Sequence, residues 1–119
     1  MLKFTSTEKA PAAIGPYSQA IAVNGFLFTS GQVALMPGTG EIDGTTVQQQ
    51  AERVCQNLKA ILEENGLTFE DVVKATCFLA DMNDFAAFNE VYGKYFVNKP
   101  ARSCVAVKTL PKNLLCEVE

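Results

Sequence analysis

The 119-residue sequence contains no histidine. This absence excludes a Ser-His-Asp triad, a Cys-His dyad, an HExxH zinc site and any histidine general base. Any chemistry that the protein performs must therefore use carboxylate, tyrosine, serine, cysteine, lysine or arginine side chains, backbone groups or water.

Charge is sparse and contains no blocks. The chain has 10 basic and 13 acidic residues, a formal net charge of −3, and no run of lysine or arginine. Nucleic-acid-binding domains usually present a basic face or stripe, so we expect no nucleic-acid partner. No apolar run approaches the roughly 20 residues that a membrane-spanning helix needs, and residues 1–5 do not resemble a signal peptide. We therefore expect a cytoplasmic protein with no membrane partner.

Cysteine occurs four times but never as a CxxC pair, at Cys55, Cys77, Cys104 and Cys116. A four-cysteine zinc site normally supplies its ligands in close pairs, so this spacing disfavours a metal site. A disulfide scaffold is also disfavoured, because a chain of this length can bury a core without crosslinks. We expect small, half-buried thiols in a reducing compartment.

Length and composition predict a single domain over residues 1–119, since domains most often have about 100–150 residues. Hydrophobic residues make up 48% of the chain and charged residues 19%, which is typical of a folded core. The proline- and glycine-containing stretch 10–16 predicts an ordered loop. Asn24-Gly25 between two β-prone runs predicts a hairpin with a type I′ turn. A further short strand is expected near Phe4.

Apolar residues from Val47 to Leu62 recur at helical spacing and predict a first helix, with Thr45 and Gln48 as a capping box and Gly66 as its stop. Residues 72–80 predict a central strand, and a second helix should start near Asn83 or Asp84. Residues 102–107 and 114–118 predict two final strands. This order predicts an α+β fold in which both helices pack on one face of a mixed sheet. The other face would be bare and apolar, which is typical of an oligomer.

If the last two strands pair as an antiparallel hairpin with Val107 opposite Leu114, Cys104 faces Glu117, and a slip of two residues would place Arg102 opposite Glu117. In either register, the arginine and the glutamate share one face. One interpretation is an exposed cross-strand ion pair, which contributes roughly 0–1 kcal/mol. The other is that Arg102 binds a substrate carboxylate through its planar fork while Glu117 transfers a proton or orients water.

Four further residues are candidates for substrate contacts: Tyr17, Ser30, Gly31 and Asn89. Tyr17 is the one aromatic hydroxyl in the proline-rich loop. Ser30 and Gly31 follow a strand, where backbone N–H groups often meet a ligand. Asn89 lies among apolar residues of the second helix. Each also has a purely structural interpretation: Tyr17 as cover for the edge of the core, Ser30 and Gly31 as a turn, and Asn89 as a helix cap or a solvent-facing side chain.

Four blocks of the sequence resemble the signatures of the Rid family of reactive intermediate (imine) deaminases, in the same order along the chain. They are APAAIGPYSQA at residues 10–20, TSGQ at 29–32, PARSCV at 100–105 with LP at 110–111, and CEVE at 116–119. The resemblance implies a fold like that of trimeric chorismate mutase, with three sheets forming a central barrel and three clefts between subunits. It implies a homotrimer that acts on small imino acids without a cofactor or metal.

The resemblance also implies an activity and residue roles. The activity is hydrolysis of 2-imino acids such as 2-iminobutanoate and 2-iminopropanoate, or enamine tautomers such as 2-aminoacrylate, to 2-oxo acids and ammonia. Arg102 would bind the carboxylate, and Glu117 with the backbone carbonyl of Cys104 would hold the water, while Tyr17, Ser30, Gly31 and Asn89 line the cleft. The segment 97–99 is shorter than in many members, and members usually continue a few residues past the position of Glu119, so we expect a different cleft loop and a frayed last strand.

Two other functions remain open at this point. One is a non-enzymatic protein that binds carboxylate ligands or protects client proteins. The other is a ribonuclease or translation inhibitor, which the net charge of −3 and the absence of histidine disfavour.

Overall fold

The computed structural model describes residues 1–119. The chain forms six strands and two α-helices, in the order β1 (Lys3–Thr5), β2 (Ala20–Val23), β3 (Phe26–Thr29), α1 (Val47–Glu64), β4 (Lys74–Leu79), α2 (Phe85–Tyr95), β5 (Ala101–Ala106) and β6 (Cys116–Val118). Short 3₁₀ turns lie at Phe69–Asp71, Met82–Asp84 and Pro111–Asn113. Neither α-helix combines the length and the apolar character of a membrane-spanning segment.

The first three strands form an antiparallel sheet in the order β1-β2-β3. Asn24 (φ 51°) and Gly25 (φ 81°) both have positive φ and join β2 to β3. This confirms the predicted hairpin, because a two-residue type I′ turn requires positive φ at both positions. The predicted strand near Phe4 is also confirmed as β1.

Helix α1 begins one residue later than predicted. Thr46, not Thr45, is the N-cap: its hydroxyl accepts from the backbone N–H of Gln49 at 3.2 Å, and Gln49 Oε1 accepts from the N–H of Thr46 at 3.3 Å. Thr45 with Gln48 and Thr46 with Gln49 have the same three-residue spacing, so the sequence alone does not distinguish the two possible capping boxes. Asp84 occupies the N-cap of α2 as predicted, but it forms no capping hydrogen bond.

The second half of the chain forms a mixed sheet in the order β5-β4-β6. Strand β4 pairs in parallel with β5 and antiparallel with β6. The expected hairpin between the last two strands is therefore wrong. Their connection includes a 3₁₀ turn in which Lys112 and Asn113 have positive φ (both 56°), and it carries the chain across to the far side of β4. The central position predicted for the strand at residues 72–80, which is β4, is confirmed.

The register places Arg102 and Glu117 on opposite faces of this sheet. Arg102 lies beside Ala75, and Glu117 lies beside Phe78. Laterally paired residues point the same way and successive residues alternate, so Ala75 and Phe78 point to opposite sides. Ala75 is fully buried beneath the helices. The expectation that arginine and glutamate share one surface is therefore wrong within the chain.

Both helices pack on one face of the sheets, which confirms the predicted α+β architecture. The core consists of the inward stripe of α1, three aromatic residues of α2 or its end (Phe88, Tyr92 and Phe96) and the inward residues of β4 and β6. A bridge between Gln32 and Val118 joins the two sheets. The opposite face carries no helix. On the first sheet it is apolar, with Phe4, Phe26 and Phe28 exposed by 61%, 61% and 62%, whereas on the second sheet it also carries Glu117.

Candidate active site

Arg102 lies on the edge strand β5 and its side chain reaches toward α2. Its Nη1 donates a hydrogen bond to Oδ1 of Asn89 at 2.7 Å. Its Cζ lies 4.7 Å from the ring centre of Tyr92 and 5.4 Å from that of Phe85. Neither of the chain's two ion pairs involves Arg102. The guanidinium is thus held from the helix side while most of its five donors remain available to an anion.

The free edge of β5 also presents the backbone carbonyl of Cys104. The N–H of Ala101 donates to the carbonyl of Val73, directly before β4, at 3.1 Å, and the N–H of Val107, directly after β5, donates to the carbonyl of Leu79 on β4 at 2.9 Å. In a parallel ladder alternate residues bond to one neighbour, and the residues between them point both groups the other way. The carbonyl of Cys104 therefore points away from β4 and is available to a water molecule or a ligand.

The thiol of Cys104 is a poor nucleophile. It is half-buried beside Cys77, and burial raises its pKa more than the nearby Arg102 lowers it. All four cysteines are free, and Cys55, Cys77 and Cys116 are fully buried rather than half-buried as expected. Burial raises the pKa of Cys77 and of Cys116 to about 12. These thiols therefore stay protonated near neutral pH, and no group of three or more Cys, Asp or Glu side chains is placed to hold a metal ion.

Glu117 is half-buried and lies against Gly31. A Cβ added to Gly31 would lie 2.8 Å from Cδ of Glu117 and would overlap its Oε2. Burial, and to a smaller extent the neighbouring Glu119, raises the pKa of the Glu117 carboxyl. This carboxyl therefore exchanges its proton closer to neutral pH than an ordinary glutamate, which suits a group that accepts and returns protons.

Ser30 connects the end of β3 to the loop that carries Tyr17. Its hydroxyl donates to the carbonyl of Ser18 at 2.6 Å, and its backbone N–H donates to the carbonyl of Gln19 at 2.9 Å. Tyr17 is 53% exposed, and its hydroxyl accepts a 3.4 Å hydrogen bond from the N–H of Ile14. The structure thus presents Tyr17 at the surface of an ordered loop fixed to the end of β3.

Gln19 organises this loop and was missed as a functional residue in the sequence. Its buried side-chain amide accepts from the N–H of Thr7 at 2.7 Å and donates to the carbonyls of Thr7 and Pro11 at 3.0 and 2.9 Å. A proline-containing loop cannot satisfy its backbone groups by forming a regular element. A long polar side chain directly before the buried Ala20 is the signal that could have identified this anchor.

The candidate residues form two groups within the chain. The arginine group consists of Arg102, Asn89 and Cys104, on the edge strand and α2. The glutamate group consists of Glu117, Gly31 and Ser30, with Tyr17 in the attached loop. Strand β4 separates the two groups, and Arg102 and Glu117 point to opposite faces of the sheet. One chain therefore contains both groups, but it does not place them within reach of each other.

Two hollows of the chain lie away from the paired candidate residues. A groove of about 540 Å³ between β3 and β4 is mostly apolar and contains none of the candidate residues. An open hollow of about 700 Å³ beside the N-terminal loop contains Tyr17 but no residue of either group.

The chain is similar to known proteins along nearly its whole length. Residues 7–119 match the family model described as endoribonuclease L-PSP. The chain is 55% identical to a RutC family protein of Synechocystis over 121 residues, covering 99% of this chain and 93% of the relative. It is 46% identical over 123 residues to an Escherichia coli protein provisionally named reactive intermediate deaminase TdcF, covering 100% of this chain and 95% of the relative.

Solved structures share the whole fold. The crystal structure of E. coli TdcF with bound serine superposes with a TM-score of 0.92 at 45% identity, covering 98% of this chain and 94% of that one. A Yersinia pestis protein of unknown function, described as a member of the conserved Rid family, superposes with a TM-score of 0.96 at 40% identity, covering 100% of this chain and 96% of that one.

Proposed function

The chain belongs to the Rid family, and from this premise we propose that it hydrolyses 2-imino acids and their enamine tautomers to 2-oxo acids and ammonia. The substrate class is that of 2-iminobutanoate and 2-iminopropanoate. The name of its relative TdcF supports a deaminase role. The observation that carries the proposal is the guanidinium of Arg102, which has no carboxylate partner in the chain and is held beside an available backbone carbonyl.

The active site in this proposal lies between two subunits of a homotrimer. The arginine group of one subunit would meet the glutamate group and the Tyr17 loop of its neighbour. Three features support this arrangement: the two groups face away from each other within the chain, the edge of β5 is unpaired, and the bare face exposes Phe4, Phe26 and Phe28. Unpaired strand edges and large exposed apolar faces are typically covered by another chain.

The chemistry needs no strong nucleophile, because a protonated imine is already electrophilic. Arg102 would bind the substrate carboxylate in its plane with two hydrogen bonds. The backbone carbonyl of Cys104 and the carboxylate of Glu117 would hold a water molecule about 3 Å from the C=N carbon. The other cleft positions, Tyr17, Ser30 and Gly31, would border the imino group and the side chain of the substrate.

Hydrolysis then proceeds in two steps. The water oxygen bonds to the C=N carbon while Glu117 accepts a proton from the water, giving a tetrahedral carbinolamine. Glu117 returns that proton to the amino nitrogen. The C–N bond then breaks as the carbonyl forms, Glu117 accepts the hydroxyl proton and passes it to the departing ammonia, and ammonium leaves with the 2-oxo acid. The raised pKa of Glu117 favours both directions of proton transfer.

The assay couples a threonine dehydratase to this protein and follows the disappearance of the imino intermediate. The proposal expects faster disappearance than in buffer and a matching rise in 2-oxobutanoate and ammonia. A rate equal to that in buffer would refute it.

A ribonuclease is the second candidate, because the matching family model carries an endoribonuclease description. The net charge of −3 and the absence of histidine disfavour it. RNA cleavage that co-purifies with the protein and disappears in Arg102→Ala would support it over imine hydrolysis.

A further inference from the structure

Three residues of α2 contact Arg102, and all three lie on one stripe of the helix. Phe85, Asn89 and Tyr92 are spaced at i, i+4 and i+7, which places them on the same face. We propose that this stripe, with Tyr92 at its buried end, is a positioning site that fixes the guanidinium of Arg102 for carboxylate binding. The inference deepens the proposed function and rests on it for the identity of the ligand, but the placement of the guanidinium does not depend on that identity.

Tyr92 makes its polar contact through its ring rather than its hydroxyl. The residue is 8% exposed, and its buried hydroxyl has no hydrogen-bond partner. The ring of Phe96 stacks on that of Tyr92 at 4.1 Å with an interplanar angle of 10°. The Cζ of Arg102 lies 4.7 Å from the ring centre of Tyr92, within the range of a cation–π contact. Phe96 therefore holds the ring in place, and the ring holds the cation.

The hydrogen bond from Arg102 to Asn89 orients the guanidinium against the aromatic rings. Asn89 Oδ1 accepts from Nη1 at 2.7 Å, which fixes the rotation of the guanidinium in its own plane. The aromatic contacts place Cζ over the faces of the Phe85 and Tyr92 rings and use no N–H donor as a hydrogen bond, whereas a carboxylate binds bidentately to two N–H donors. The hydrogen bond to Asn89 occupies one of the five donors, so the others remain for a ligand. A guanidinium that is already oriented loses less conformational freedom when the ligand arrives.

Loss of this positioning should weaken substrate binding and leave the chemical step unchanged. Arg102 contacts the carboxylate in both the bound substrate and the transition state, so a looser guanidinium weakens both states equally. Such a change raises KM and leaves kcat nearly unchanged. Tyr92 is in this sense a positioning residue, since it acts on the ligand only through Arg102.

The first variant is Tyr92→Leu, and it has two readouts. One is the NMR signal of the Arg102 side-chain Nε–H, which is assigned through its loss in Arg102→Lys. The other is the Kd for 2-oxobutanoate, which serves as the carboxylate probe. We expect the ring-current displacement of the Arg102 signal to shrink to the part that Phe85 supplies, and Kd and KM to rise about 5- to 30-fold with kcat within two-fold. The conservative Tyr92→Phe keeps the ring and should rescue both the Arg102 signal and KM.

Phe69→Leu is the matched control, because Phe69 packs on Tyr95 and Phe96 near the same helix without an aromatic contact to Arg102. It should leave the probe affinity unchanged even where stability falls. Phe85 is only partly buried, so Phe85→Leu decides the question if Tyr92→Leu does not fold.

Folded Tyr92→Leu and Phe85→Leu proteins with an unaltered Arg102 signal and an unaltered Kd would overturn the positioning role. A wild-type protein that hydrolyses no imino acid, but whose Arg102 signal still depends on the Tyr92 ring, would refute the proposed function alone.

Discussion

Gly31 and Glu117 touch across 86 positions of sequence, and any side chain at position 31 would displace the Glu117 carboxyl. A Cβ at Gly31 would lie 3.1 Å from Cγ and 2.8 Å from Cδ of Glu117. The carboxylate of Glu117 rests in the space that the missing side chain leaves. This contact fixes the position of the one carboxyl group in the candidate site whose pKa is raised.

The Gly31→Ala variant should therefore displace the Glu117 carboxylate and slow imine hydrolysis. A displacement of about 1 Å costs on the order of 100-fold in rate when the group must hold a water molecule at the reacting carbon. The measurement is kcat/KM in the coupled dehydratase assay. Gly93→Ala on α2 is the control, because an added Cβ there meets nothing within 4 Å. Equal activity of the Gly31→Ala variant and the wild type would contradict the placement of Glu117 at the water.

Arg102→Lys tests the geometry of carboxylate binding rather than its charge. Lysine keeps the positive charge but lacks the planar fork and cannot reproduce the 2.7 Å hydrogen bond with the same orientation. We expect KM to rise at least tenfold, consistent with the loss of one charged hydrogen bond worth roughly 1.5–3 kcal/mol. The control is Arg53→Lys, since Arg53 pairs with Asp43 and belongs to neither candidate group. An unchanged KM in Arg102→Lys would exclude bidentate binding by this residue.

The raised pKa of Glu117 predicts opposite effects of Glu117→Gln on activity and on stability. Because burial favours the protonated form in the folded state, the carboxyl's contribution to stability is fully present below its ordinary pKa of 4.5 and is lost as pH rises through the folded-state value. Glu117→Gln should thus have a higher Tm than wild type at pH 7, and the difference should vanish near pH 4. Thermal unfolding between pH 4 and pH 8 measures this.

The same substitution should remove imine hydrolysis, and the wild-type rate should fall as pH decreases through the raised pKa, because the base must be unprotonated to accept a proton from water. A Tm that is equal in the two proteins at pH 7 and at pH 4 would show that the Glu117 carboxyl is not desolvated.

Tyr92→Phe should stabilise the protein. The hydroxyl of Tyr92 is buried without a partner, and an unsatisfied buried hydroxyl costs about 1–3 kcal/mol. The comparison is Tyr95→Phe, because the hydroxyl of Tyr95 donates to Glu52 at 2.5 Å and accepts from Gln56 at 2.7 Å. Chemical denaturation should give a higher free energy of unfolding for Tyr92→Phe and a lower one for Tyr95→Phe. A destabilised Tyr92→Phe protein would show that this hydroxyl has a partner.

Local features of the fold could be predicted from the sequence, whereas pairings between distant elements could not. The hairpin at Asn24-Gly25 depends on two adjacent residues, so its turn chemistry is visible in the sequence. The order β5-β4-β6 depends on which strand lies beside β4, and neither the period of the final strands nor their connection encodes that choice. Two strands close in sequence were therefore predicted to pair when β4 separates them.

In the candidate site, too, single residues could be predicted from the sequence, whereas contacts between distant elements could not. Arg102, Glu117, Tyr17 and Asn89 could be named from residue type and from the resemblance of their surrounding motifs. The contact of Asn89 with Arg102 and that of Gly31 with Glu117 join residues on different elements, and they depend on packing that no sequence period expresses. The separation of Arg102 from Glu117 likewise follows from register alone.

The central claim is that a complete site takes Arg102 from one subunit and Glu117 from its neighbour, and mixed trimers test it most directly. Arg102→Ala and Glu117→Gln proteins, each inactive alone, are unfolded together in equal amounts and refolded, with refolded wild type as the reference. In a ring of three with random assortment, about one quarter of the interfaces combine an intact Arg102 with an intact Glu117. The account predicts that the mixture recovers about that fraction of the wild-type rate of imine hydrolysis, whereas a mixture as inactive as its two components would contradict it.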